Sequence, residues 1–318
     1  MNFELEIIHW LQSFRSTILD FFFQFWTMFG EELIIIGILG FLYWIYDKKI
    51  GERVGVTVFI SLVLNSTIKI LVSRPRPYVV DSNVQNIRPD TATGYAFPSG
   101  HTQGAATLFT SFAIWLKKNW ISVSATVIIV MVALSRMYLG AHYLSDVIVG
   151  GLLGVGISFV MAWYFRKNLD EHKLYLFILE GTLIVTFLTY MYFLFTSKAT
   201  AELSNASVLY NNIEGLAKMA GSIIGFIFGV SFEKKKVNFE THHHVLKNLI
   251  RFILGIAVVM AVRILLKAIF GVFINPEELL EGELLKSSIA LLFDLIRYLS
   301  MVFIGIGVYP MLFKKVRI

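Results

Sequence analysis

Cysteine is absent from the 318-residue chain, which excludes disulfides and thiolate metal sites. Charged side chains are also scarce, at 16% of the residues, whereas 56% are hydrophobic and the mean hydropathy is +0.70. A soluble domain is usually nearer to about 45–50% apolar. Here the excess falls in long apolar blocks, which is typical of membrane spans. The composition therefore indicates an integral membrane protein.

Several other signals are missing. The N-terminus has no basic region followed by a small-residue cleavage site, so we expect no cleavable signal peptide. We find no internal repeat, low-complexity tract or linker, which favours a single membrane domain. The net charge is +6, but the basic residues stand in short clusters between apolar blocks. This pattern is typical of membrane topology, so we do not expect nucleic acid as a partner.

The apolar blocks predict an all-α, polytopic membrane helix bundle with about nine transmembrane helices. They cover residues 31–46, 53–72, 103–117, 120–138, 145–165, 174–196, 214–232, 247–270 and 288–312. Residues 1–30 are apolar and aromatic but are interrupted by charges, which predicts an N-terminal amphipathic helix in the membrane interface, with a tenth span as the alternative. We therefore expect a six-helix catalytic core over residues 31–196 and a three-helix extension over 197–318.

The distribution of Lys and Arg predicts the orientation. One set of alternate connections carries 15 of these residues, whereas the opposite set carries 7. Cytoplasmic loops are enriched in Lys and Arg, so the first set is expected in the cytoplasm. The N-terminus then lies outside and the C-terminus inside. A prokaryotic plasma membrane is the expected location.

Three short polar segments fall on the predicted outer side. They are "KILVSRPRP" with Lys69 and Arg76, "PSGH" with Ser99, Gly100 and His101, and "SRMYLGAHYLSD" with Arg136, His142 and Asp146. The "PSGH" turn at a helix entrance offers free N–H groups to an anion, and arginine presents a fork of donors that matches phosphate oxygens.

The histidines add reactive groups to these cations. His142 and Asp146 are four residues apart, so on a helix they would share a face and the carboxylate could orient the imidazole. His101 supplies a second imidazole that could protonate a leaving group. Two histidines, one carboxylate and three cations predict a metal-free phosphoryl-transfer site.

Together the motifs K-x6-RP, PSGH and SR-x5-H-x3-D resemble the signature of the type 2 phosphatidic acid phosphatase superfamily. That superfamily includes membrane lipid phosphatases, glucose-6-phosphatase and the vanadium haloperoxidases. All three motifs are complete and in the family's order, and they extend from Lys69 to Asp146, about a quarter of the chain.

The resemblance implies a role for each matching position. His142 would be the nucleophile that forms a phosphohistidine, His101 the general acid, and Asp146 the residue that orients His142. The phosphate would be bound by Lys69, Arg76, Ser99, the Gly100 backbone N–H and Arg136. No metal or other cofactor is implied.

The expected activity is hydrolysis of a phosphomonoester or pyrophosphate on a membrane lipid. A site at the leaflet boundary lets a headgroup arrive sideways while its tails stay in the bilayer. The alternatives are a sugar phosphatase similar to glucose-6-phosphatase, a lipid-linked phosphotransferase, and a non-catalytic lipid-binding or transport protein. The last would be expected to have a damaged motif, whereas His142 and Asp146 are both intact.

Four further predictions concern residues near or outside the motifs. Arg74 is expected to make a surface or headgroup contact, and Arg263 is expected to pair with Asp294. The glycine cluster that follows Asp146 is expected to serve close helix packing. The three histidines at 242–244 predict an interfacial loop rather than a metal site.

Overall fold

A computed structural model describes residues 3–167, 169–199, 206–241, 244–279 and 283–315. Within these residues the chain is α-helical with short 3₁₀ and π turns, and no strand occurs. The α-helices are α1 (Phe3–Ser13), α2 (Thr17–Thr27), α3 (Glu32–Phe41), α4 (Lys48–Val72), α5 (Pro77–Val80), α6 (Gly100–Leu116), α7 (Asn119–Tyr138), α8 (Leu144–Arg166), α9 (Glu171–Ala199), α10 (Ala206–Phe232), α11 (Val245–Phe273), α12 (Leu284–Phe303) and α13 (Met311–Lys315). The predicted all-α class is confirmed.

The number of candidate spans is smaller than predicted. Among the described residues, seven helices are long and apolar enough to cross a membrane. The count rises to eight if the pair Thr17–Gly30 and Glu32–Tyr46, bent by 51°, forms one broken span. A perpendicular span needs about 20 residues. The helices found at two predicted spans are shorter: α6, at 103–117, has 17 residues, and α3, at 31–46, has 10.

The N-terminal segment forms two helices rather than the single one expected. The helix is interrupted between α1 and α2. Here the Ser16 side chain accepts a hydrogen bond from the Leu19 N–H at 3.3 Å and caps α2. Such a cap satisfies one of the free N–H groups at a helix start. Large apolar side chains on both helices are exposed, among them Trp10, Ile18 and Phe21.

The chain divides into two compact units. The first lies within Met1–Ile36 and Leu64–Leu169, and the second within Gly37–Val63 and Asp170–Ile318. All eight predicted site residues belong to the first unit. The functional division at residues 30 and 196 stays a prediction. His242 and His243 lie outside the described residues.

Small residues hold α8 against the start of α6. A Cβ added to Gly150 would lie 2.7 Å from the Ser99 carbonyl oxygen, and one added to Gly154 would lie 2.6 Å from that of Gln103. Such close backbone approach is typical of glycines between membrane helices. The predicted packing role is confirmed for these two glycines, whereas Gly156 has no neighbour within 4 Å of an added Cβ.

We expect Gly150→Ala to destabilise the protein by about 1–3 kcal/mol, because its methyl group would press on backbone atoms that cannot rotate away. Since Ser99 caps α6 in the candidate site, activity should fall as well. Gly156→Ala is the matched control in the same helix, and alanine favours helix there. Thermal unfolding of both variants in detergent tests this, and equal midpoints would contradict the packing argument.

In the second unit, glycines again bring two helices together. A Cβ on Gly221 or Gly225 of α10 would lie within 2.3 Å of a carbonyl oxygen of α12. Two buried carboxylates of this unit have partners within it: Glu52 accepts a hydrogen bond from the Tyr175 hydroxyl at 2.6 Å, and Glu233 forms an ion pair with Lys48 at 2.6 Å.

Candidate active site

The "PSGH" motif forms a helix entrance, as predicted. Ser99 is the N-cap of α6, and its hydroxyl oxygen accepts hydrogen bonds from the N–H and the hydroxyl of Thr102 at 3.4 and 3.0 Å. The Ser99 N–H donates to the Asp146 carbonyl at 3.0 Å. The second motif is therefore tied to the third through the backbone.

His142 and Asp146 are in contact, but not as residues of one helix. His142 precedes α8, whose N-cap is Tyr143. The Asp146 Oδ2 accepts the Tyr143 N–H at 2.9 Å and lies 3.3 Å from the His142 Nδ1. The carboxylate thus caps the helix and holds the imidazole, and both side chains are buried. This arrangement leaves the His142 Nε2 on the side of the ring away from the carboxylate.

Arg76 lies on the Nε2 side of His142. Its Nη1 is 3.3 Å from that nitrogen and donates to the Ala141 carbonyl at 2.9 Å. The remaining guanidinium nitrogens donate to the carbonyls of Gly94 and Thr93, at 2.9 and 2.5 Å. The polar loop before "PSGH" therefore fixes this guanidinium beside the imidazole.

The other two predicted cations are held in the same way. Arg136, fully buried, donates to the hydroxyls of Thr27 and Thr91, each at 3.1 Å, and to the Thr91 carbonyl at 3.0 Å. Lys69, in the last turn of α4, donates to the Tyr95 carbonyl at 2.9 Å. The structure brings all three cations into the first unit with both histidines.

Two buried nitrogen atoms at the site have no hydrogen-bond partner within the described part of the chain. They are the His101 Nε2 and the Arg136 Nε. An unsatisfied buried polar atom costs free energy, so each position favours a ligand that carries acceptor oxygens. Within the described residues, no group of three His, Asp or Glu side chains is placed to hold a metal ion.

Arg74 does not make the surface contact predicted for it. Its Nη1 donates to the Asp146 Oδ1 at 2.8 Å and to the Ser145 hydroxyl at 2.6 Å, while its Nη2 contacts the Glu4 carboxylate at 2.6 Å. Its guanidinium also lies over the Tyr143 ring, 3.8 Å from the centroid. Arg74 therefore holds the second oxygen of the carboxylate that orients His142.

The N-terminal segment contacts residues in and beside the site, which the sequence did not indicate. The Glu4 Oε1 accepts the Ser145 N–H at 2.7 Å, at the start of α8. A Cβ added to Gly30 would lie 2.7 Å from the His101 carbonyl oxygen. Hydrogen bonds from Ser145 and Arg74 lower the pKa of Glu4 against the opposing effect of its burial, so this carboxylate is charged at neutral pH.

His142 is held neutral. Burial lowers the pKa of His142 well below its ordinary value, and the charges of Arg76, Lys69 and Arg136 lower it further. The neutral imidazole is the form that can act as a nucleophile.

The same shift predicts that phosphate-free protein loses stability in acid. An unfolded His142 takes up a proton near pH 6.5, whereas the folded residue stays neutral to much lower pH. The unfolded state then binds more protons, so this residue lowers the free energy of unfolding by up to about 1.4 kcal/mol per pH unit below about pH 6.5. Thermal unfolding between about pH 7 and pH 5 tests this: His142→Asn should lose less stability than the wild type, and equal losses would contradict the shift.

The sequence of this chain is similar to those of known proteins. Residues 53–170, which contain all eight predicted site residues, match the sequence model of the PAP2 superfamily. Residues 217–318 match the model of the PAP2 superfamily phosphatase transmembrane extension. The chain is 32% identical over 136 residues to decaprenylphosphoryl-5-phosphoribose phosphatase of Mycobacterium tuberculosis, which covers 42% of this chain and 73% of that protein. This chain belongs to the PAP2 superfamily.

Other phosphatases are similar to parts of this chain. Undecaprenyl-diphosphatase of Sulfolobus acidocaldarius is 29% identical over 165 residues, covering 50% of this chain and 77% of that protein. Phosphatidylglycerophosphatase B of Bacillus subtilis is 33% identical over 102 residues, covering 28% and 48%. The crystal structure of Aquifex aeolicus LpxE has 25% identity and a TM-score of 0.46, covering 52% of this chain and 97% of that one. The family models, the named phosphatases and the apolar helices show that the protein is an integral membrane phosphatase of this superfamily.

Proposed function

We propose that this PAP2 protein removes a phosphate group from a membrane lipid through a phosphohistidine on His142. The observation that carries the proposal is the buried pairing of His142 with Asp146 on one side and with Arg76 on the other. Attack by an imidazole needs a fixed tautomer and a positive charge beside the reacting phosphorus. Both requirements are met around this one ring.

The first step forms a bond between the His142 Nε2 and phosphorus and breaks the bond from phosphorus to the lipid oxygen. Asp146 keeps the proton on Nδ1, so the lone pair of Nε2 is available. His101 enters this step as the imidazolium, the form that bound phosphate oxyanions favour. It donates its Nε2 proton to the departing oxygen, which leaves as the lipid alcohol or, from a diphosphate, as the lipid monophosphate.

The second step reverses the role of His101. Its imidazole, now neutral, removes a proton from water as the water oxygen attacks phosphorus. The bond between His142 and phosphorus breaks, inorganic phosphate leaves, and His142 and His101 return to their starting forms.

The cations bind the phosphate and stabilise the charge that develops on it. A phosphoryl group on the His142 Nε2 would lie beside the Arg76 guanidinium, 3.3 Å from that nitrogen. The unsatisfied Arg136 Nε is a further donor, and Ser99 and the Gly100 N–H at the start of α6 add helix-terminal donors. Lys69 contributes positive charge from α4. Fixed donors of this kind lower the barrier because they need no reorganisation during the reaction.

A lipid substrate is supported by the setting of the site and by the relatives. The protein is embedded in the membrane, and its relatives include phosphatases named for undecaprenyl diphosphate, phosphatidylglycerophosphate and a decaprenyl-linked phosphate. The excess of Lys and Arg on the opposite connections favours a site at the extracytoplasmic face.

The test is phosphate release by purified protein in detergent with EDTA present. The substrates are polyprenyl diphosphate, phosphatidylglycerol phosphate, phosphatidic acid, sphingosine phosphate and glucose 6-phosphate. Release from one or more lipids, lost in His142→Ala, is the expected result. Preference for the sugar phosphate would replace the lipid proposal, and release only when an acceptor alcohol is added would replace hydrolysis by phosphotransfer.

Arg74 is a positioning residue in this mechanism. We expect Arg74→Gln to lower kcat by about tenfold, because Asp146 would lose a charged partner and hold His142 less firmly. KM should change little, since Arg74 does not line the phosphate position, and Arg74→Lys should restore part of the loss. Arg15→Gln, which breaks an exposed pair with Asp20, is the matched control. A rise in KM at constant kcat would contradict the positioning role.

A further inference from the structure

A polar cavity outside the candidate active site lies wholly within the second unit, among α10, α11 and α12. Its volume is about 410 Å³. Six charged side chains line it, namely Glu214, Lys218, Arg263, Lys267, Asp294 and Arg297. Four of them are cations and two are carboxylates, so the described lining carries a net charge of about +2. None of these residues takes part in the proposed hydrolysis.

Each carboxylate of this cavity is held by a cation of its own helix. Asp294 pairs with Arg297 and accepts a hydrogen bond from the Tyr210 hydroxyl at 2.6 Å, and the pair with Arg263 stays a prediction. Glu214 pairs with Lys218 one turn along α10. Arg263 and Lys267 add two further positive charges from α11.

Arg297 shows where a ligand is needed. Its side chain is 12% exposed, and its Nε is buried without an acceptor among the described residues. A buried donor without an acceptor is costly. Charged side chains within membrane helices are costly as well, and they usually mark binding sites or paths. An oxyanion in the cavity would accept from this nitrogen and balance the excess charge.

Apolar side chains lie beside these charges. Ile264, which lines the cavity, is 63% exposed, and other large side chains of α11 such as Leu265 and Val272 are exposed too. Phe270 and Phe293, both in the lining, are stacked with ring centroids 4.5 Å apart. The cations of the cavity suit the charged head of a lipid, and the apolar surface of α11 suits its hydrocarbon tail.

We propose that this cavity is a second anion-binding site, which takes the phosphate headgroup of a membrane lipid. The planar donor forks of Arg263 and Arg297 match phosphate oxygens, and the adjoining surface of α11 suits acyl chains. Free inorganic phosphate offers the same oxygens, and the experiment separates the two sources.

The experiment measures binding rather than turnover, so it does not depend on the proposed hydrolysis. Full-length His142→Ala protein is placed in phosphatidylcholine nanodiscs that contain phosphatidic acid with a photoreactive diazirine in its acyl chain. After irradiation, the cross-linked peptides are identified by mass spectrometry. We expect cross-links on α11 and α12, and labelling by a diazirine phosphatidylcholine should be much weaker.

Charge-removing variants decide whether the cavity binds the headgroup. Lys267 is exposed, so Lys267→Gln should fold normally, and Arg263→Gln provides a second variant. Each should lower the labelling of α11 and α12 by about fivefold, the effect of losing one charge-assisted hydrogen bond. Lys286→Gln is the matched control, because it removes an exposed charge of α12 that does not line the cavity.

Excess inorganic phosphate distinguishes the two sources. Labelling that persists in its presence assigns the site to lipid headgroups, and labelling that disappears assigns it to phosphate from either source. The proposal is overturned if α11 and α12 are not labelled, if phosphatidylcholine labels them equally, or if Lys267→Gln and Arg263→Gln both leave the labelling unchanged.

Discussion

His142→Ala is expected to reduce phosphate release by about 10⁴-fold or more, since loss of a nucleophile removes the covalent route and leaves only binding and electrostatic effects. The Nε2 of this residue is the nitrogen that faces Arg76, while its Nδ1 faces Asp146. Among the residues that the structure describes, no other imidazole is held between a carboxylate and a guanidinium in this way. The measurement is the single-turnover rate with the preferred lipid of the substrate panel.

Asp146→Asn provides the companion variant for His142→Ala. It keeps the size of the side chain but weakens the hold on the Nδ1 proton, and so it should lower kcat strongly without preventing folding. Thermal unfolding in detergent should show folded protein for both variants. Retention of more than about a tenth of the wild-type rate by folded His142→Ala would remove this residue as the nucleophile.

The second large effect is expected for Arg76→Lys. Three backbone carbonyls fix the guanidinium, and the same Nη1 reaches the His142 Nε2. A lysine keeps the charge but cannot span these acceptors and also offer a donor to the phosphoryl group. Removing one such fixed donor lowers kcat by about 10²–10³-fold in other enzymes, and we expect a loss of that size in kcat/KM here.

Arg15→Lys is the matched control for Arg76→Lys. Arg15 forms an exposed pair with Asp20, and exposed pairs contribute about 0–1 kcal/mol, so the control should behave as the wild type. If Arg76→Lys keeps nearly full activity, the fork of donors is not needed and positive charge alone accounts for Arg76.

The sequence predicted which residues of the site come together better than it predicted their geometry. The eight motif positions lie in one unit of the structure, because their spacing places them at helix ends that meet. Their exact relationship could not be predicted: the four-residue spacing of His142 and Asp146 suggested one helix, whereas Asp146 holds His142 while it caps α8. A capping residue and a residue on a helix face have the same spacing in sequence.

The partners from distant parts of the chain were also missed. The spacing from Lys69 assigns Arg76, and not Arg74, to the motif. No local pattern reveals the contact between Arg74 and Asp146, which is 72 residues away. Glu4 contacts Arg74, and Thr27 contacts Arg136. The sequence predicts only an interfacial helix for the segment that contains Glu4 and Thr27. The structure has seven or eight candidate spans among its described residues. The number nine stays a prediction, because hydropathy does not report where a short apolar segment bends or ends.

Trapping the phosphohistidine is the most direct test of His142 as the nucleophile. His101→Ala protein is mixed with p-nitrophenyl phosphate, whose leaving group departs without being protonated, so the first step proceeds while hydrolysis lacks its base. The reaction is quenched in alkali, and phosphorylated peptides are mapped by mass spectrometry. We expect an alkali-stable, acid-labile phosphoryl group on His142 that is absent when His142 is also replaced by alanine. Turnover without phosphate on His142, or phosphate on another residue, would contradict this role of His142.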